Sequence, residues 1–172
     1  LSHFAANNLN THHRVLYGLS DKHIKDTLYR EKTFIKKTTG IAYRIAKITL
    51  LDQPIDQFIS LTQHEVFGHG FRFREFEYIN SFYNLNVSYP YGKGGGFAGS
   101  WGGKTVPTQQ ERNTINYGGV EANKLLADNI TYQVLLDDSI HYRQGLLFYF
   151  AQNNLFRYLW SSRTGERSID AS

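Results

Sequence analysis

Two histidines stand five residues apart in Gln63-His64-Glu65-Val66-Phe67-Gly68-His69-Gly70, with a glutamate directly after the first. An ordinary α-helix advances about 100° per residue, so positions five apart diverge by roughly 140°. Imidazoles that share one divalent ion must each approach it to about 2.0–2.1 Å. A regular helix cannot meet both demands. Either an extra residue enters the turn as a π-bulge, a device frequent at functional sites, or the helix unwinds at Gly68 and His69 hangs from its last turn. Gly68 and Gly70 bracket His69 and permit either, because glycine accepts backbone angles that other residues avoid.

The residues before the motif read as a helix over 53–69. Asp52 is placed as its N-cap and Pro54 falls in the first turn, where proline is tolerated. Ile55, Phe58, Ile59, Thr62 and Val66 recur at three- and four-residue steps, the spacing of an amphipathic helix. Gly70 is then expected just past the C-terminal end. The chemistry of the motif is a metal-plus-base set: imidazoles to hold an ion, a carboxylate to handle a water proton. The spacing is one residue longer than the zinc-protease pattern H-E-x-x-H.

His64-Glu65-Val66-Phe67-Gly68-His69-Gly70 resembles the H-E-x-x-G-H-G signature of the modulator-of-gyrase (TldD-type) metalloproteases over these seven residues. The resemblance implies zinc held by His64 and His69, with Glu65 as the general base. That family completes its site with a distant cysteine. This chain has no cysteine, so its third ligand must be of another type. Glu121-Ala122-Asn123 looks like the glutamate helix of gluzincin proteases, which implies Glu121 as the third zinc ligand. Those families place the ligand four residues before the Asp or Asn, a position held here by Gly119. Asp128, two turns beyond Glu121, is an alternative ligand or a partner for an imidazole. His141 is a further alternative, as a ligand or as a catalytic donor to a developing oxyanion. His12-His13 and His3 lie in a polar N-terminal stretch and read as solvated.

A chain of 172 residues with 41% hydrophobic and 20% charged residues reads as one globular domain. It has no methionine, not even at position 1, and so reads as a processed or truncated part of a longer chain. The net charge of +4, with Arg72, Arg74 and Lys36-Lys37 as basic spots, suits a solvated basic face or an anionic partner. No nucleic-acid motif accompanies it, so a nucleic-acid partner is not expected. Aromatic residues make up 15% of the chain, a content compatible with a membrane-surface belt. A membrane surface and a cell-envelope location are therefore carried as expectations, although no apolar run approaches the ~20 residues of a spanning helix.

Helices are expected over 21–38 behind Ser20, over 41–51, over 120–136 and over 139–160. Thr108 with Glu111 forms a capping box for a short helix that Gly118-Gly119 should break. Phe71, Phe73, Leu85, Val87, Tyr89 and Tyr91 alternate with polar residues, a strand pattern. Residues 92–103 hold seven glycines and read as a mobile loop or lid. The run Ala98 to Thr105 also fits a relaxed phosphate-loop pattern. Glycines precede it where a buried strand should stand, and Pro107 follows where a helix should start. Nucleotide binding is a rival reading only.

The expected fold is mainly α with a small β element. A metal-bearing helix packs on a glutamate-bearing helix, with a hairpin and glycine-rich loop between them. The expected function is a zinc-dependent hydrolase, a peptidase before other hydrolases, acting on a peptide or protein substrate. Water activated by the ion attacks a carbonyl while Glu65 takes and returns its proton. Two alternatives stand beside it. One is a carboxylate-rich site for iron or manganese, with Glu65 and His69 at i,i+4 joined by Glu121 and by Asp128 as a further candidate. The other is a non-enzymatic envelope or interaction module in which the motif is structural.

Overall fold

The computed structural model describes residues 2–28, 34–103, 106–137 and 140–164. The chain is mainly α with one small antiparallel sheet. Helix α1 spans Ser2–Leu28 and α2 spans Phe34–Lys47. A first π-turn (Ile48–Asp52), α3 (Gln53–Thr62), a second π-turn (Gln63–His69) and α4 (Gly70–Glu75) then follow without a break. Strands β1 (Ser81–Leu85) and β2 (Gly96–Ser100) form the sheet. Two long helices close the chain, α5 (Gln109–Asp137) and α6 (Tyr142–Thr164).

Several expected helix ends are absent. Asp52 is no N-cap: it has helical angles, makes no capping bond and is buried. Pro54 has no N–H to give to the preceding turn, and the first π-turn lies just before it. That wide turn brings Lys47 and Asp52, five residues apart, onto one face, where Lys47 Nζ donates to Asp52 at 2.9 Å. Gly70 opens α4 rather than ending a helix, so Phe71 and Phe73 are helical instead of extended. Gly118-Gly119 does not break α5. Each glycine inside a helix costs roughly 1 kcal/mol against alanine, and Gly118 and Gly119 are retained because close packing requires them. The capping box forms as expected: Thr108 N donates to Glu111 Oε2 at 2.7 Å, and Glu111 N donates to Thr108 Oγ1 at 3.2 Å.

Within the hairpin, Phe82 pairs with Gly99 and Asn84 with Phe97. Gly96–Ser100, five of the twelve residues of the glycine-rich run, are therefore strand rather than lid. Val87, Tyr89 and Tyr91 lie in the connection between the strands. The phosphate-loop pattern ends on Lys104 and Thr105, which lie outside the described residues, as does part of the expected helix over 21–38.

The core is where α1, α5 and α6 meet. Ala6, Leu126, Ala127, Ile130, Leu147 and Ala151 are buried together, with Ile59, Val134 and Phe148 against them. Small residues on facing helices let the helix axes approach closely. Beside this core runs a buried polar seam along α3 and the π-turns that flank it: Asp52, Asp56, Ser60 and Gln63. His13, expected in a solvated tail, is completely buried on α1, with Nε2 2.7 Å from Asp56 Oδ1. Arg143 reaches Asp56 Oδ1 at 3.3 Å, and the Tyr142 hydroxyl donates to Asp52 Oδ2 at 2.7 Å. Charge buried in this way must be internally paired, and this network supplies the pairs. Among the described residues, no helix is long and apolar enough to cross a membrane.

Candidate metal centre

The motif lies on the second π-turn, one of the two departures from a regular helix that its spacing allows. The wider turn rotates His69 back toward His64. Their ring centroids are 4.9 Å apart, with planes at 80°. One ligand atom each from His64, Glu65 and His69 lies within 4.8 Å of the other two. Glu65 is only 5% exposed, so its carboxylate points into the molecule with the two imidazoles. Among the described residues, no other cluster of three such side chains is close enough to hold an ion.

Helix α5 forms the wall behind these rings. His69 Nδ1 lies 2.6 Å from the Ile115 carbonyl oxygen. A carbonyl only accepts, so Nδ1 carries the proton and the lone pair of the ring is on Nε2. His64 Nδ1 lies 3.3 Å from Asn123 Nδ2. Burial, reinforced by the neighbouring His69, pushes the His64 pKa down to about 3, and a backbone hydrogen bond at Gly119 opposes the shift. The ring is therefore neutral at pH 7, the form that can ligate a metal. One residue earlier, Gln63 Nε2 donates to the Ala122 carbonyl at 3.1 Å and ties the turn to the same helix.

Glycines make this contact possible. A Cβ on Gly68 would stand 2.5 Å from Gly119 Cα and 2.7 Å from the Gly118 oxygen. A Cβ on Gly119 would meet His64 Nε2 first and stand 2.6 Å from its Cε1, so the Nε2 end of the ring is turned toward α5. The motif glycine and the Gly118-Gly119 pair are thus two halves of one close approach. They do not serve as hinges, since Gly68, Gly118 and Gly119 all lie within continuous helix.

The remaining sequence-derived candidates are placed elsewhere. Glu121 is on α5, on the helix expected to face the motif, but its carboxylate is paired with Arg72 Nη2 at 2.5 Å and is half exposed. The group formed by His64, Glu65 and His69 does not include it. Asp128 is paired with Lys124 at the surface. His141 stacks on Tyr17 at 4.3 Å and accepts from the Arg143 backbone N–H at 3.3 Å. Neither belongs to the group. Sequence reasoning missed Asn123 and the Ile115 carbonyl as partners of the imidazoles. A signal was present: Ile115, Gly119 and Asn123 recur at steps of four, one face of a helix, with a glycine at the middle step. No protein-family model matches this chain, and no curated protein or solved structure is significantly similar to it.

Proposed function

We propose that this chain is a metal-dependent hydrolase, with His64 and His69 holding zinc and Glu65 handling the proton, and that its substrate is a peptide or protein. The observation that carries the reading is the π-turn: it brings two histidines five apart, and the glutamate between them, to one point. The residues fit such an ion chemically. One imidazole is kept neutral by burial, and the other has its proton committed to a backbone carbonyl. A bound zinc ion supplies Lewis acidity that polarises a carbonyl and acidifies water. The Glu65 carboxylate takes a proton from the attacking water and returns it to the leaving amine. Its burial beside the rings keeps it within reach of both events. The likeness of residues 64–70 to the TldD-type signature supports peptidase chemistry.

The same geometry favours a second reading. The Glu65 carboxylate lies in one cluster with both imidazoles, and two histidines with one carboxylate are also a ligand set for iron(II). One experiment separates the readings. Elemental analysis of the purified protein, before and after chelation, is expected to find about one divalent metal that His64→Ala and His69→Ala each abolish. Glu65→Gln should retain the metal and lose cleavage of a labelled casein. Loss of metal along with cleavage makes Glu65 a ligand. Full metal content in the double histidine variant overturns both readings.

A further inference from the structure

We propose that the outward face of the helix running from α2 into α3 docks on a membrane surface of anionic lipid, lying along it rather than crossing it. From α2 through the first π-turn and α3 the chain is one unbroken helix. Ile41, Ile45, Ile48, Leu51, Ile55 and Phe58 follow one another on it at steps of three and four, the spacing of a single stripe. Each is 37–60% exposed. The buried side carries instead Lys47 and the polar seam from Asp52 to Gln63. A helix on a water-facing surface has the opposite arrangement, with apolar residues inward and polar ones outward. Among the described residues, α2 has its chief contact with the π-turn that continues it, and the stripe is most exposed there, at Ile41 and Ile45.

Charge identifies what covers the stripe. Residues 32–51 hold five cations, Lys32, Lys36, Lys37, Arg44 and Lys47, and no Asp or Glu. Arg44 is exposed beside Ile45, while Lys47 is buried in its pair with Asp52. The two carboxylates that follow, Asp52 and Asp56, are both buried. The exposed side of the helix from Thr38 to Phe58 thus carries no carboxylate. An apolar stripe bordered by Lys and Arg is the pattern of a helix in the headgroup layer, its aliphatic side chains at the acyl boundary and its cations among anionic headgroups. A second copy of the chain fits less well. A stable dimer buries roughly 800 Å² and 20–30 residues on each partner, which one stripe of six side chains does not supply, and it would bring the same cations together. The stripe also runs toward the metal motif: Phe58 precedes His64 by six residues, about 9 Å of helix. Docking therefore holds the candidate metal centre near the lipid, although the docking itself does not depend on the metal reading.

The test is co-sedimentation of the full chain with two kinds of vesicle, phosphatidylcholine alone and phosphatidylcholine with about 30% phosphatidylserine. Wild type is expected to bind the anionic vesicles about tenfold or more tightly than the neutral ones, and to lose the difference as salt is raised. The double variant Ile41→Ser, Ile45→Ser should weaken binding to the anionic vesicles about tenfold or more. Val106→Ser removes an exposed apolar side chain from the segment before α5 and should leave that binding unchanged. Both stripe positions face outward, so far-UV circular dichroism should show the double variant folded; the comparison of vesicles with wild type needs no variant. Absence of wild-type binding to anionic vesicles, equal affinity for the two kinds, or undiminished binding by the folded double variant overturns the proposal. Sedimentation velocity without lipid tests the other occupant: a wild-type dimer that the double variant dissociates assigns the stripe to a second copy and likewise overturns it.

Discussion

Replacing Gly68 by alanine tests the idea that this glycine is required by packing rather than by backbone freedom. The new Cβ would lie 2.5 Å from Gly119 Cα, 2.7 Å from the Gly118 oxygen and 2.8 Å from Gly119 N. All three are backbone atoms of α5 and cannot rotate away. To reach ordinary contact at 3.4 Å the second π-turn and α5 must separate by about 0.9 Å. Overpacking of this kind costs about 1–3 kcal/mol. Alanine's helix propensity returns about 1 kcal/mol, leaving a net loss of roughly 0–2 kcal/mol. Gly18→Ala is the matched control. It is the same chemical change inside α1, with nothing within 4 Å of the new methyl. It should stabilise by about 0.4–1 kcal/mol. At about 2–4 °C per kcal/mol for a chain of this size, thermal unfolding of the ion-free protein should show Gly68→Ala lowered by up to about 8 °C. Gly18→Ala should rise by about 1–4 °C. A Gly68→Ala protein as stable as the Gly18→Ala protein would refute the packing argument and return Gly68 to the role of hinge.

Three further outcomes follow from the same structure. In ion-free protein, His64 has a folded-state pKa of about 3 against an ordinary 6.5. The unfolded chain therefore takes up a proton first as pH falls, and stability is lost between about 6.5 and 3 while no loss occurs above 6.5. The urea midpoint of wild type minus that of His64→Gln should decline through this window and be flat above it; a flat difference throughout contradicts the buried, neutral ring. Asp56→Asn removes the charge that His13 and Arg143 share at zero exposure and should cost about 3–5 kcal/mol in urea unfolding, with a loss below about 1 kcal/mol showing that the seam is not a charged network. Glu121→Ala removes only a half-exposed pair with Arg72, so it should cost less than about 1 kcal/mol and leave metal content unchanged; metal loss would reinstate Glu121 as the third ligand.

The local requirement of the motif was legible in the chain. Histidines five apart cannot share an ion on a regular helix, so a π-turn or an unwound turn followed from helical geometry, and the class of fold followed from the periodicity of the long helices; that the turn is a π-turn came from the structure. The Thr108–Glu111 box was legible for the same reason: both of its bonds close within one turn. What sequence left undecided depended on groups far apart along the chain. Gly118-Gly119 reads as a helix breaker by propensity, but the closeness of Gly68 outweighs a cost of about 1 kcal/mol per glycine. His13 reads as solvated until Asp56, 43 residues away, is placed against it. Glu121 reads as a ligand from its neighbours, but Arg72 on α4 occupies its carboxylate. Hydrogen bonds and ion pairs between distant residues leave no periodic trace in a sequence. Only the packing of α5 on the π-turn decided which side chains reach His64, Glu65 and His69.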